Sequence, residues 1–181
     1  PGSGKTFALE AARAALRSDG FHVIGAALAA EAASQLEAGS KIASSTLDHL
    51  LYELDLPAGL SNTARLDRKT VVVVDEASMV DVLIMDALLR ALKPGARRLL
   101  VGDHNQLASV DAGDVLGALC RAAHAAGPGA PLYECVTWLT KSWRFEEHPA
   151  IGSLANAILA GDPEAVMKVC ANRSQSDVQL N

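Results

Sequence analysis

The apolar positions of this chain change period several times, and each change marks an element. Phe7, Ala11, Ala15 and Leu16 recur at helical spacing over residues 7–18, and Gly20 stands where a C-cap is needed. Residues 22–28 form a short apolar run with Val and Ile, which predicts a buried strand. Residues 29–38 read as a helix carrying Glu31 and ended by Gly39-Ser40. Ser45-Thr46-Leu47-Asp48 resembles a capping box, and Leu47, Leu50, Leu51 and Leu54 line the helix after it. Residues 57–62 read as loop. Val71–Val74 is an unbroken β-branched run, the mark of a central parallel strand covered on both faces. Helical spacing returns over residues 82–92, closed by Lys93-Pro94-Gly95, and residues 98–102 predict the next strand. Asp114 is placed to cap a helix running to Ala126.

Gly127-Pro128-Gly129-Ala130-Pro131 is the best linker in the chain. Beyond it, residues 132–139 read as a strand and residues 151–160 as a helix stopped by Gly161. Asp162-Pro163-Glu164 then restarts a helix, with proline in its first turn. Strands alternating with helices make a three-layer α/β architecture with a parallel sheet the economical solution. The expected division is residues 1–130 as one domain and 131–181 as the beginning of a second.

Composition narrows this picture only slightly. The 181 residues are 50% hydrophobic and 20% charged, ordinary for a globular protein. No run approaches the ~18 uninterrupted apolar residues of a membrane span, and Pro1 does not open a basic-then-apolar targeting pattern. Cys120, Cys135 and Cys170 lie far apart without metal-ligand spacing, which suits a reducing compartment, so a cytoplasmic location is expected. His104, His124 and His148 show no ligand spacing either and read as surface residues. The net charge of −5 argues against a basic nucleic-acid clamp over the whole chain, though not over one face. Arg65, Arg68, Lys69, Arg90, Lys93, Arg97 and Arg98 form local basic clusters of the kind that usually make solvated faces.

Candidate chemistry gathers at two places. Pro1-Gly2-Ser3-Gly4-Lys5-Thr6 matches the end of a phosphate-binding loop, G-x-x-x-x-G-K-S/T. Glycines there let backbone N–H groups cradle phosphate oxygens, and the following helix aims its positive end at the same anion. Lys5 would reach the β- and γ-phosphates as a point charge, and the Thr6 hydroxyl would hold Mg²⁺. The plain alternative is an ordinary glycine-rich turn before a helix. The absent opening glycine and preceding strand lead to the expectation of a segment cut within a domain. At the second place the valine run ends in Asp75-Glu76. Two acids at the end of a buried strand are costly to desolvate, and in a parallel sheet that edge is where ligands sit. Asp75 is then a Mg²⁺ partner and Glu76 the base that orients a water; the plain alternative is a polar turn. Gln106, three residues after Asp103, is positioned to sense a γ-phosphate or to be a surface residue.

Four stretches stand in the order of motifs I to IV of superfamily 1 helicases: Pro1–Thr6, VVVVDEASMV (71–80), LVGDHNQLASVDAG (100–113) and LTKSWRF (139–145). The chain most resembles RecD-type helicases, the alpha-subunit family of exodeoxyribonuclease V. That likeness rests on GDHNQLASVDAGDVLGALC and on SWRF followed by IGSLANAILAGDPEAV. The front half also resembles the helicase part of MobF-type conjugative relaxases. The resemblance implies a RecA-like P-loop ATPase core, with the start of a second RecA-like domain, moving on single-stranded DNA in recombinational repair. It assigns Gly2, Ser3, Gly4, Lys5 and Thr6 to the nucleotide, Thr6 and Asp75 to Mg²⁺, Glu76 to the attacking water and Gln106 to the γ-phosphate. Arg144 would be an arginine finger, and Thr46 would bond a DNA phosphate or simply cap its helix. Implied partners are single-stranded DNA and nuclease-helicase subunits of an exodeoxyribonuclease V complex. One departure stands out: the family's Gly-Lys pair is Ala30-Glu31 here, an acid in place of a DNA-facing cation. The rival readings are a conjugative relaxase's helicase half, a P-loop NTPase switch that unwinds nothing, and a decayed RecA-like fold.

Overall fold

The computed structural model describes residues 4–55, 66–103, 113–139 and 149–171. In chain order these form α1 (Lys5–Ser18), β1 (His22–Ala27), α2 (Ala30–Ser40), β2 (Ser44–Thr46), α3 (Leu47–Asp55) and β3 (Thr70–Asp75). A 3₁₀ turn (Ala77–Met79) follows, then α4 (Val82–Ala91), β4 (Arg97–Leu100), α5 (Val115–Ala126), α6 (Pro131–Glu134), α7 (Pro149–Leu159) and α8 (Pro163–Ala171). Contacts divide the described residues into two compact units. One is Thr6–Thr137; the other holds the residues from Trp138 onward together with Gly4 and Lys5.

In the larger unit four strands pair in the order β2-β1-β3-β4, all parallel. The valine run is the reason β3 takes a central place. Val72 and Val74 enter one core with Ile24, Leu47, Leu50, Met85, Leu88 and Leu116. Val71 and Val73, pointing the other way, enter a second core with Leu9, Val23, Leu36 and Ile42. Side chains alternate across a strand, so a strand apolar at every position must be covered on both faces. Helices α3, α4 and α5 contribute to the first core, α1 and α2 to the second. The three-layer α/β architecture predicted from the sequence is therefore the one observed.

Several local expectations are corrected. The buried face of α1 is not the Phe7–Ala11–Ala15 line: Leu9 is 5% exposed and Phe7 78%. Two residues apart on a helix means about 200° of rotation, so Phe7 and Leu9 cannot share a face. Helix α2 runs through Gly39 to Ser40, and the left-handed C-cap is Lys41 at φ 60°, its N–H donating to the Glu37 carbonyl at 2.9 Å. Residues 44–46 add a short parallel edge strand that the polar triplet Ser-Ser-Thr does not announce. Residues 132–139 are not a strand. Pro131 occupies the first position of the short helix α6, where its fixed φ is preorganised. The Gly129 N–H donates to the Glu134 carboxylate at 3.1 Å, tying that turn down.

In the smaller unit α7 and α8 pack against one another, with Ala150, Gly152 and Ala157 buried on α7. Gly161 turns the chain at φ 65°, and the Asp162 carboxylate accepts from the Ala165 N–H at 3.0 Å, capping α8 as its sequence predicts. No helix among the described residues is long and apolar enough to cross a membrane.

Candidate functional site

In a parallel sheet every strand delivers its chain to the same edge, and that edge collects the candidate residues. Ala27 pairs with Thr46 on one side and with Asp75 on the other. Thr46, Ala27 and Asp75 thus form one row across the carboxyl end, with Thr46 and Asp75 about 10 Å apart, two strand spacings. Helix α2 begins just beyond this edge with Glu31 in its first turn, where a carboxylate complements the positive helix end.

The acid pair has a defined geometry. Asp75 Oδ1 accepts from the Glu76 N–H at 2.9 Å. Glu76 itself lies in the left-handed region, φ 49° and ψ 39°, and opens the 3₁₀ turn, its carbonyl accepting from the Met79 N–H at 2.9 Å. A non-glycine residue held there costs about 1–2 kcal/mol, and such strain concentrates at functional positions. The turn is anchored to β4's extension: the Val101 N–H donates to the Val74 carbonyl at 2.8 Å, and the Ala77 N–H donates to the Val101 carbonyl at 2.8 Å. Asp81 then caps α4, its carboxylate accepting from the N–H groups of Leu83 (2.7 Å) and Ile84 (2.8 Å). Asp114 caps α5 through the Gly117 N–H at 2.9 Å and pairs with Arg121 at 2.8 Å.

Thr46 caps α3, its hydroxyl accepting from the His49 N–H at 3.2 Å. Accepting there leaves the hydroxyl's own proton to donate, so a cap and a phosphate contact are compatible. Lys5 is the first residue of α1, and Gly4 before it has φ 80°, a conformation that favours glycine. Thr6 is placed by another contact: a Cβ added to Gly39, in the last turn of α2, would land on the Thr6 γ-methyl. The structure therefore brings Thr46, Asp75 and Glu76 together at the carboxyl edge. It seats Thr6 against the end of α2, not in that row. Gly2, Ser3, Gln106 and Arg144 lie outside the described residues.

A threonine hydroxyl and an aspartate carboxylate are oxygens of the kind Mg²⁺ takes alongside substrate phosphates, but the structure does not bring the two expected donors together: Thr6 lies against the last turn of α2, whereas Asp75 stands at the carboxyl edge where α2 begins. Two glycines shape the site by what they lack: Gly39 stands outside the quoted motifs, and Gly102 lies inside the 100–113 stretch with no role assigned to it there. Gly39 receives Thr6, and Gly102 receives the 3₁₀ turn, a Cβ there falling 3.1 Å from the Ser78 nitrogen.

The model of the family described as "AAA domain" matches residues 1–179. RecBCD enzyme subunit RecD of Mycolicibacterium smegmatis is 46% identical over 101 residues, which are 56% of this chain and 16% of that protein. Conjugal transfer protein TraA of Rhizobium radiobacter is 40% identical over 119 residues, 65% of this chain and 10% of that protein. The chain thus matches a small part of the length of these relatives. The fold is that of Bacteroides Pif1 in the crystal structure bound to ssDNA, at a TM-score of 0.57 and 20% identity, covering 94% of this chain and 44% of that one. The resemblance to RecD-type helicases and to conjugative transfer proteins is borne out by these relatives. With nearly its whole length matched by one family model, the chain belongs to the AAA-domain family.

Proposed function

We propose that this chain is the ATP-hydrolysing motor core of a superfamily 1 DNA helicase of the RecD type, moving on single-stranded DNA in recombinational repair. The observation that carries the reading is the acid pair Asp75-Glu76 at the carboxyl end of a fully buried parallel strand. Its second member is held in a strained left-handed turn. Lys5 and the backbone at Gly4 bind the β- and γ-phosphates, and Thr6 and Asp75 would hold Mg²⁺, which would offset negative charge on the phosphate oxygens. Glu76 accepts a proton from the water that attacks the γ-phosphorus as the bond to the bridging oxygen breaks. Gln106 contacts the γ-phosphate. Arg144 stabilises the transferring group from the second RecA-like domain, whose start moves from the expected residue 131 to about residue 138, where the contacts divide the chain. Thr46 donates its hydroxyl proton to a DNA phosphate. The protein works in the cytoplasm with nuclease-helicase subunits of an exodeoxyribonuclease V complex.

The TraA relatives favour a second reading, the helicase part of a conjugative relaxase. The motor chemistry is the same, and a DNA-nicking activity in the full-length protein selects it. The test of the motor is steady-state ATP hydrolysis by the full-length protein with and without single-stranded DNA. DNA-stimulated turnover that Lys5→Ala abolishes is expected, and Lys5→Ala turnover at the wild-type rate refutes the assignment. A nucleotide-dependent change in partner binding without DNA stimulation selects a P-loop switch instead.

A further inference from the structure

Gly102 follows the Val101 residue that anchors the acid turn, and three observations meet at it. The Ala77 N–H donates to the Val101 carbonyl at 2.8 Å, so the turn after Glu76 is fastened to the end of β4. A Cβ at residue 102 would stand 2.6 Å from Leu116 Cδ2, 3.1 Å from the Ser78 nitrogen and 3.3 Å from the Ala77 nitrogen. Gly102 is not among the glycines with positive φ, so space rather than backbone freedom demands a glycine there.

We propose that Gly102 is a positioning residue for Glu76: by lacking a side chain it lets the 3₁₀ turn close onto the end of β4, which fixes the left-handed Glu76. The inference rests on the reading of Glu76 as the group that orients the attacking water. Leu116 can swing a terminal methyl away from an intruding Cβ. The two turn nitrogens cannot move alone, because Ala77 is bonded to Val101 and Met79 to the Glu76 carbonyl. Relief therefore comes from the turn retreating from the strand, which stretches the Ala77–Val101 bond and rotates the Glu76 peptide. The contacts of 3.1 and 3.3 Å require the turn to give by a few tenths of an ångström, a fraction of the ~1 Å misplacement that costs on the order of 100-fold in rate.

The test uses the full-length protein and four variants: Gly102→Ala, Glu76→Gln, both together, and Gly102→Ala with Leu116→Val. Gly102→Ala is expected to lower kcat several-fold, up to about tenfold, while the Kd for ATP stays within about twofold of wild type. On the Glu76→Gln background it adds no further loss, and amide exchange at Ala77 quickens. Leu116→Val removes the tightest clash and keeps the doubly substituted protein folded, yet turnover stays low because the backbone contact persists. The inference is overturned by wild-type turnover in Gly102→Ala, by full recovery with Leu116→Val, by an equal loss of ATP binding, or by an additive loss with Glu76→Gln. If Glu76→Gln itself turns over at the wild-type rate, the proposed role of Glu76 falls and this inference with it. If only Glu76→Gln is slow, this inference alone falls.

Discussion

Glu76 offers a prediction that needs no ligand. Its φ of 49° and ψ of 39° place an L-residue where the Cβ crowds its own backbone. That conformation costs roughly 1–2 kcal/mol, which glycine does not incur. Glycine loses more backbone entropy on folding, about 0.5–1 kcal/mol relative to alanine. The two hydrogen bonds that define the turn, Glu76 N–H to Asp75 and Met79 N–H to the Glu76 carbonyl, use backbone at this position, so both substitutions keep them. Glu76→Gly is therefore expected to be more stable than Glu76→Ala by about 0.5–1 kcal/mol. That is a shift of roughly 1–4 °C in Tm for a domain of this size. Urea denaturation of both variants, fitted with a common m-value, reads the difference. Glu10, exposed inside α1, supplies the control, since there alanine should exceed glycine by about 1 kcal/mol. Alanine matching or exceeding glycine at residue 76 would mean the left-handed turn does not exist, and the strain argument for the site would go with it.

Other expectations follow from the same structure. Glu76→Gln should retain ATP binding and lose hydrolysis, measured by fluorescent-nucleotide titration beside turnover; equal loss of both would make the acid structural. Asp81→Ala removes the acceptor for two α4 amides and should cost about 1 kcal/mol in a denaturant melt. Val72→Ala empties space in a fully buried position and should cost about 2–3 kcal/mol by the same assay. Burial pushes the Cys120 thiol above its ordinary value of 9.0, the Asp114 carboxylate adding to this and the Arg121 guanidinium opposing it. The fold disfavours its thiolate, so that stabilisation is present below the ordinary thiol value and lost as pH rises through the raised one. Alkylation followed by mass mapping at neutral pH should label exposed Cys135 well before Cys120.

The sequence disclosed those parts of the fold in which local pattern and tertiary need coincide. The Val71–Val74 run is apolar at every position because both faces of β3 are covered, and that demand is written at one residue per step. Asp81, Asp114, Thr46 and Asp162 cap helices by contacts within three residues, so short-range spacing reveals them. The misread elements depend on partners distant in sequence. Gly39 looks like a helix terminator, yet its lack of a side chain makes room for Thr6, more than thirty positions earlier. Strand β2 exists because β1 offers it an edge, and nothing in Ser-Ser-Thr signals that. Residues 132–139 are apolar enough for a strand, but a proline just before them and a carboxylate reaching back to Gly129 settle residues 132–134 as helix. At the site, the place of Asp75 and Glu76 at the carboxyl end of a buried strand was legible from the valine run. The left-handed turn and the close approach of Gly102 were not, because both are set by the end of β4.

The most direct test of the motor reading is a crystal structure of the full-length protein with Mg²⁺ and a non-hydrolysable ATP analogue. The account predicts the Thr6 hydroxyl about 2.1 Å from the metal, with the Asp75 carboxylate bound to the same ion directly or through one water. A metal-nucleotide bound away from residues 4–6, or an Asp75 carboxylate with neither contact to that ion, would contradict it.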